Sequence, residues 1–145
     1  LKVNGFIGNK RNPARLAKVK NFSRGLIDIG DNEVFVTNHT DKVFADAIQS
    51  KCLVYQIDEY DQLSLTDFST TFFTRATFDT VQLTLTPAFD QWEQYCICRK
   101  PLNPNLLYVK CDLCQNWFHL SCMGLTEKQA EELEMFSCNQ CKKVE

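Results

Sequence analysis

Seven cysteines and one histidine between residues 96 and 141 are the side chains best suited to chemistry in this sequence. They fall into four close pairs: Cys96-x-Cys98, Cys111-x2-Cys114, His119-x2-Cys122 and Cys138-x2-Cys141. Thiolate and imidazole are donors that zinc prefers, and short spacers let both members of a pair reach one ion. Eight such ligands fill two tetrahedral sites and leave no position open. The spacing therefore predicts two structural Zn²⁺ ions and no catalytic metal.

A disulfide framework is the alternative use of these cysteines. The clustered seven leave one over unless Cys52, the eighth, joins them, and no secretory signal is visible. Because disulfide frameworks belong mainly to secreted chains, zinc is the favoured interpretation. Cys52 is then expected to be a small buried residue in the core of another domain.

The composition is that of a folded protein. Hydrophobic residues make up 44% of the 145 and charged residues 23%, which argues against a wholly disordered, collagen-like or coiled-coil chain. No apolar run approaches the ~20 residues of a membrane span, so no membrane partner is predicted. The start, LKVNGFIGNKRN, lacks an initiator Met and the apolar core of a signal peptide, which is typical of a fragment.

The cysteine density divides the chain into a larger β-domain and a small zinc domain. Residues 1–88 are predicted to be mostly β because they hold segments rich in Val, Ile, Thr and Phe, namely Arg15–Phe22, Glu33–Thr37, Cys52–Ile57, Thr71–Phe78 and Thr80–Thr86. Residues 89–94 lack a clear period and are predicted to be a packed linker. Residues 95–145 are too few to hold together without the metals. Their one helix signal is a capping box at Thr126 and Gln129, with the helix ending near Glu134.

The basic side chains concentrate at the start of the chain. The segment Lys2–Arg24 carries seven of them and no acid. Such a segment is typical of a nonspecific contact with DNA, and a solvated face is the alternative.

Four cysteines, one histidine and three cysteines in this order resemble a PHD finger. Trp117-Phe118 directly before His119, and Phe136 two residues before Cys138, match the same family. The resemblance covers residues 95–142, about a third of the chain. It implies crosswise use of the pairs, with Cys96, Cys98, His119 and Cys122 at one zinc (site 1) and Cys111, Cys114, Cys138 and Cys141 at the other (site 2).

The resemblance also implies a site for methylated lysine. Aromatic faces attract a quaternary ammonium, and three rings match PHD fingers that read trimethylated lysine 4 of the histone H3 tail: Tyr95, Tyr108 and Trp117. Leu102 stands where some of these readers have a fourth ring. We therefore expect a cage of three rings and an aliphatic wall, which leaves the preference between di- and trimethyl-lysine open. Each ring alone has an alternative role in local packing.

The family's mode of tail binding implies further contacts. The H3 tail would add a strand to Leu106–Lys110, which includes Leu107 and Val109. Asp112 would accept the guanidinium of an arginine in the tail. Carbonyls around Met135 would hold the N-terminal amine. The expected partner is thus the methylated H3 tail of a nucleosome, and the expected location is the nucleus.

Two alternatives remain for the finger. A RING-like ubiquitin ligase is the enzymatic one, because its finger also crosses two zincs, although the RING order usually puts the histidine earlier. The other is a PHD finger that reads unmodified H3, a class that generally lacks the cage tryptophan. We predict a binding module and no enzyme, because no nucleophile with its base is visible.

The first domain resembles the later half of a BAH domain, over the stretches Glu33–Asp41, Ile48–Cys52 and Phe72–Phe78. A BAH domain followed by a PHD finger is similar to plant BAH–PHD histone readers of the Short Life and Early Bolting in Short Days type. That resemblance implies a peptide groove near His39 and Asp41, and a second reading activity for methylated lysine 27 of H3 as an alternative function. The overall fold class is mostly β, a BAH-like β-domain followed by a two-zinc cross-brace PHD finger with one short helix.

Overall fold

The computed structural model describes residues 2–8, 29–64 and 69–143. The chain separates into two compact units, Leu1–Trp92 and Glu93–Glu145. The described elements are mostly short strands, as predicted, and none of the described helices is long and apolar enough to cross a membrane. The predicted strand Arg15–Phe22 and most of the basic segment lie outside the described residues.

The first unit contains six described strands and one short helix: β1 (Lys2–Gly8), β2 (Val34–Lys42), β3 (Leu53–Gln56), α1 (Ile57–Asp61), β4 (Thr71–Thr74), β5 (Thr77–Asp79) and β6 (Thr84–Thr86). Short 3₁₀ turns lie at Ala45–Ala47 and Phe89–Gln91. One sheet has the order β1-β2-β5-β6, in which β2 and β5 are parallel and the other pairs antiparallel. Strands β3 and β4 form a separate parallel pair.

The core of the first unit gathers where the strand period directs apolar side chains inward. Alternate residues of β2 are buried, starting with Phe35. Phe35 packs in one cluster with Ala76, Phe78, Leu85 and Trp92. The ring centroids of Phe35 and Trp92 are 6.0 Å apart, and the indole N–H of Trp92 donates to the carbonyl of Pro87 at 3.0 Å. Trp92, which lies in the segment predicted to be a packed linker, therefore belongs to this core.

A buried ion pair interrupts the predicted strand Thr71–Phe78. Arg75 lies between β4 and β5, and its Nε and Nη2 donate to the carboxylate of Glu33 at 2.6 and 3.0 Å. The same carboxylate accepts the amide of Gly30 at 3.0 Å. The guanidinium also lies over the rings of Trp92 and Phe73, at 4.6 and 5.7 Å from their centroids. Arg75 must leave the strand ladder to make these contacts, so the single strand becomes two.

The prediction of one strand over Thr80–Thr86 is wrong in its first half. Oδ1 of Asp79 accepts the amides of Val81 and Gln82, both at 2.8 Å, and Leu83 has a φ of 56°. A short acidic side chain that bonds to the amides ahead of it favours a turn over a strand. Val81 is therefore 84% exposed at this turn.

Cys52 is exposed, so the prediction that it belongs to a core is wrong. It lies just before β3, where Leu53 and Val54 are also exposed. A free cysteine behaves as a small apolar residue, which suggested burial. However, β3 pairs with β4 at one edge without being covered on both faces.

The second unit is built from two small hairpins and two short helices: β7 (Gln94–Tyr95), β8 (Lys100–Pro101), β9 (Tyr108–Lys110), β10 (Trp117–His119), α2 (Leu120–Met123) and α3 (Glu127–Glu131). The capping box is confirmed: the amide of Gln129 donates to Oγ1 of Thr126 at 3.3 Å, and the amide of Thr126 donates to Oε1 of Gln129 at 3.0 Å. The helix ends at Glu131, before Glu134. Helix α2 has no comparable sequence signal and ends at Gly124, whose φ of 70° suits glycine.

Candidate functional site

The structure brings the eight predicted ligands together in two groups of four. Cys96, Cys98, His119 and Cys122 form one group, and Cys111, Cys114, Cys138 and Cys141 form the other. Within each group the ligand atoms lie within 4.8 Å of one another. These are site 1 and site 2 in the crosswise arrangement that the family resemblance implies.

The spacing of the ligand atoms fits zinc. At site 2, Sγ of Cys111 is 4.0 Å from Sγ of Cys141, and Sγ of Cys114 is 3.9 Å from Sγ of Cys138. Tetrahedral thiolates at ~2.3 Å from a zinc ion stand about 3.8 Å apart, whereas a disulfide bond is about 2.0 Å long. All eight cysteines of the chain are free thiols. The donor set and its distances therefore suit Zn²⁺ and exclude the disulfide alternative.

Site 1 takes its nitrogen ligand from the end of strand β10. Nδ1 of His119 lies 3.3 Å from Sγ of Cys98 and 3.8 Å from Sγ of Cys122. One nitrogen and one sulfur on a tetrahedral zinc are about 3.6 Å apart, so Nδ1 is the atom placed for coordination. The backbone supports this position, because the amide of Cys96 donates to the carbonyl of Trp117 at 3.0 Å and joins the first knuckle to β10.

Site 2 ties the middle of the unit to its end. The amide of Cys138 donates to Sγ of Cys111 at 3.3 Å, and both cysteines are buried. They form the unit's core together with Phe118 and Phe136. The metals thus supply the cohesion that a core of this size lacks.

The thiol pKa values at the two sites diverge. At site 2, the pKa of Cys111 is lowered to about 6, chiefly by the backbone amide of Cys114, while the pKa of Cys141 is raised to about 12, chiefly by its hydrogen bond with Cys138. At site 1, burial raises the pKa of Cys122 to about 11. When several thiols are crowded together, the first to ionise raises the pKa of its neighbours because like charges repel. A bound cation removes this repulsion because it stabilises every thiolate.

Two of the three predicted cage rings line the same open cavity. Tyr95 and Trp117 both border a cavity of about 560 Å³, together with Glu93, Arg99 and other residues. Trp117 is 44% exposed, an unusual degree for a tryptophan that had only a packing role. Its ring already attracts one cation, since Nζ of Lys110 lies 5.8 Å from its centroid.

Tyr108 lies nearby but does not line that cavity. Residues directly opposite in the β9–β10 hairpin share a face, and Tyr108 is opposite His119 while Lys110 is opposite Trp117. Tyr108 and Trp117 therefore project from the same face. The Tyr108 ring packs on the His119 ring with centroids 4.5 Å apart, and its hydroxyl accepts the amide of Asn103 at 3.0 Å. Tyr108 thus has the packing role that the sequence left open beside the cage role.

Strand β9 has one paired and one open edge. The amide of Cys111 donates to the carbonyl of Asn116, and the amide of Leu120 donates to the carbonyl of Leu107. Because hydrogen-bonded pairs alternate, the backbone groups of Tyr108 and Lys110 point away from β10. No strand of the described residues pairs with that edge. Leu107 is exposed beside it, whereas the Val109 side chain packs against the core around site 2.

Asp112 is bonded to the segment that holds Met135. The amide of Phe136 donates to Oδ2 of Asp112 at 2.6 Å, and the amide of Asp112 donates to the carbonyl of Phe136 at 2.8 Å. This reciprocal pair fixes the end of the unit beside the ligand Cys111. Met135 is 70% exposed next to it.

The other predicted site residues lie just after strand β8 and on strand β2 of the first unit. Leu102 is half-buried just after β8, and its amide donates to the carbonyl of Glu93 at 3.2 Å. His39 and Asp41 are exposed on β2, where the amide of His39 donates to Oγ1 of Thr37 at 3.3 Å. Glu93 was not singled out by the sequence, because it falls in the predicted linker and only the pairing of β7 with β8 places it at the cavity.

Two crossed clusters of cysteine and histidine around a small core define a cross-brace zinc finger. Residues 96–141 match the PHD-finger family model, and this part of the chain is a PHD finger.

Relatives extend the likeness beyond the finger. The chain is 35% identical to the Arabidopsis thaliana chromatin remodeling protein SHL and 32% identical to its chromatin remodeling protein EBS, in both cases over 112 residues and 77% of this chain. It spans about half of those proteins, 48% and 47%. The Drosophila melanogaster nucleosome-remodeling factor subunit NURF301 is 49% identical over 50 residues, 34% of this chain and 2% of that protein. The 112 aligned residues are more than twice the length of the second unit. The similarities to SHL and EBS therefore extend well into the first unit.

Proposed function

We propose that this chain is a nuclear chromatin reader whose PHD finger binds the N-terminal tail of histone H3 methylated on lysine 4, in the di- or trimethyl state. The observation that carries the proposal is the cavity shared by Tyr95 and Trp117 next to a strand with an open edge. The relatives are named as chromatin remodeling proteins and a nucleosome-remodeling factor subunit, which supports the same setting.

The aromatic pair suits a methylated ammonium. Ring faces attract a cation whose methyl groups prevent strong hydrogen bonding to water, and the attraction reaches about 2 kcal/mol when the cation is desolvated. Tyr95 and Trp117 supply two faces, and we propose Tyr108 as a third from the same face of the β9–β10 hairpin. Leu102 supplies the aliphatic wall.

The charge of the finger favours a basic ligand. Three thiolates and a neutral imidazole leave site 1 near −1 with zinc bound, and four thiolates leave site 2 near −2. The holo finger is therefore about three units more acidic than its formal count, so its field attracts a basic peptide such as a histone tail.

The open edge of β9 suits an extended peptide. The backbone groups of Tyr108 and Lys110 point toward that edge, which allows a tail to add a third antiparallel strand. Leu107 lies beside the added strand, and Val109 contributes through its backbone because its side chain is committed to the core.

Polar groups that can bind the charged N-terminal part of the tail lie beyond the end of strand β9. We propose that Asp112 accepts the guanidinium of an arginine in the tail, and that carbonyls around Met135 bind the N-terminal amine. The bonds between Asp112 and Phe136 hold these groups at one place, which supports a binding role that needs no rearrangement.

The remaining parts of the chain have lesser roles in the proposal. The first unit is a BAH-like domain over residues 1–88, and residues 89–94 link it to the finger at 95–145. His39 and Asp41 form its candidate peptide groove, and Lys2–Arg24 contacts DNA without sequence preference. The chain acts by binding and has no catalytic step of its own.

A titration with H3-tail peptides tests the proposal. Unmodified, mono-, di- and trimethylated lysine 4 peptides are compared on the wild type and on Trp117→Ala, with zinc content measured on both. We expect methylation to tighten binding to the wild type, and Trp117→Ala to weaken methyl-dependent binding about 5- to 30-fold while two zincs per chain remain. Leu113→Ala is the matched control, since Leu113 is an exposed apolar residue of the finger outside the cavity. Tightest binding of the unmodified tail by the wild type would refute the proposal.

A further inference from the structure

The hairpin of β7 and β8 places an acidic residue at the cavity that contains Tyr95 and Trp117. Gln94 is opposite Pro101, Tyr95 is opposite Lys100, and the bond between the Leu102 amide and the Glu93 carbonyl extends the ladder by one pair. Pro101 fits because it falls at the position whose N–H the ladder does not use. Residues opposite one another, and residues two apart along a strand, share a face. Glu93 therefore projects on the face of Tyr95, Lys100 and Leu102.

Glu93 and Arg99 are the charged residues that line this cavity. Glu93 is exposed, and within the described part of the chain it forms no ion pair. Its neighbour across the hairpin is Leu102, the proposed aliphatic wall of the cage. The cavity is thus lined by two aromatic rings of the proposed cage and by one carboxylate, and Leu102 lies across the hairpin from that carboxylate.

We infer that Glu93 makes this finger select dimethyl-lysine over trimethyl-lysine, an inference that rests on the proposed function. A dimethylammonium keeps one N–H, which donates to the carboxylate in a charge-assisted hydrogen bond. A trimethylammonium has none, so it desolvates the carboxylate without replacing the lost hydrogen bond. The rings attract both cations through their methyl groups, and the difference between them arises at Glu93.

Arg99 does not reverse this preference. Its charge repels every methylated lysine through space, and all of these ligands carry the same single charge. Arg99 therefore lowers the affinities for dimethyl- and trimethyl-lysine by the same factor. The ratio of the two affinities is set by Glu93, which distinguishes an N–H from a methyl group.

The test measures a ratio of affinities. Dissociation constants for the dimethyl and trimethyl lysine 4 peptides are determined by calorimetry on the wild type, on Glu93→Met, which keeps the length and removes the acceptor, and on Glu131→Met, the same change on an exposed face of α3. We expect the wild type to bind the dimethyl peptide about fivefold more tightly, as for a hydrogen-bonded charge at a partly exposed site. Glu93→Met abolishes this preference and Glu131→Met keeps it. In Leu102→Tyr, a ring replaces the aliphatic wall, and affinity for the trimethyl peptide rises.

The outcomes separate the two proposals. Methyl-dependent binding by the wild type, with a di-to-trimethyl ratio that Glu93→Met leaves unchanged, overturns the role of Glu93 and leaves the reader function standing. A wild type that favours the trimethyl peptide also overturns the inference alone. Binding that ignores methylation removes the proposed function and the inference together.

Discussion

The ion pair between Glu33 and Arg75 offers a direct test of what holds the first unit together. Its carboxylate side chain is fully buried and its arginine side chain is 7% exposed. The pair has two hydrogen bonds, a third from Gly30, and two aromatic rings against the guanidinium. In Glu33→Gln the guanidinium keeps its buried position and loses its counter-charge.

The expected loss is large because the charge cannot return to water without breaking the core around Trp92. Removing one partner of a buried ion pair costs about 3–5 kcal/mol. Domains of this size are stable by about 5–15 kcal/mol, so Glu33→Gln removes roughly a fifth or more of the total. Replacing both residues, as Glu33→Met with Arg75→Met, leaves no buried charge. It is expected to cost less than Glu33→Gln alone.

Urea unfolding followed by tryptophan fluorescence measures these losses. The chain has two tryptophans, and Trp117→Phe as the background leaves Trp92 as the only reporter. We expect the midpoint of Glu33→Gln to fall by about 2 M, with an unchanged slope against urea. A loss below about 1 kcal/mol, or a double variant less stable than Glu33→Gln, would contradict the account of a buried charge left without its partner.

Four further predictions concern the metals, a helix cap, acid stability and DNA. Chelation of zinc unfolds the second unit only, because every ligand lies there; limited proteolysis that also opens the first unit would contradict this. Thr126→Ala lowers the stability of the finger by about 1 kcal/mol in thermal unfolding, and Thr126→Ser restores it. Hydrogen bonds from the amides of Gln82 and Val81 lower the pKa of Asp79. The Asp79 carboxylate therefore stabilises the first unit at pH values above the ordinary aspartate pKa, and this stabilisation is lost as the pH falls through the lowered pKa. Asp79→Asn should weaken the loss of stability in acid, and an unchanged dependence of stability on pH would count against this prediction. Binding of a DNA duplex by Lys2–Arg24 weakens with salt, with a logarithmic slope of at most about 6 for seven charges, and binding indifferent to salt removes that role.

The features predicted best from the sequence are those set by short spacing. The capping box of Thr126 and Gln129 depends on residues three apart, and its bonds form as expected. The cysteine pairs act in the same way, since two or three positions decide whether two side chains reach one ion. Their assignment to sites was different, because the spacing allowed several groupings and the family resemblance supplied the crosswise one.

The errors arose where a distant or competing contact overrides the local pattern. Arg75 breaks a run of strand-forming residues because its partner, Glu33, is 42 positions away. Asp79 turns the chain where the content of strand-forming residues had predicted a strand. Glu93 was not predicted as a site residue, because only the register of a two-residue hairpin brings it to the cavity. In each case the deciding information is a pairing that periodicity does not contain.

The crossed ligands also set an order of events during synthesis. Site 1 is complete once Cys122 is made, whereas site 2 waits for Cys141, which is 19 residues later. At about 5–20 residues per second, the ribosome needs about 1–4 s to cover that distance. In this interval the nascent chain carries six of its eight ligands, so Cys111 and Cys114 stand as an open pair that competes with site 1 for its zinc. Correct loading therefore depends on His119 and Cys122 capturing the first ion before the last pair emerges.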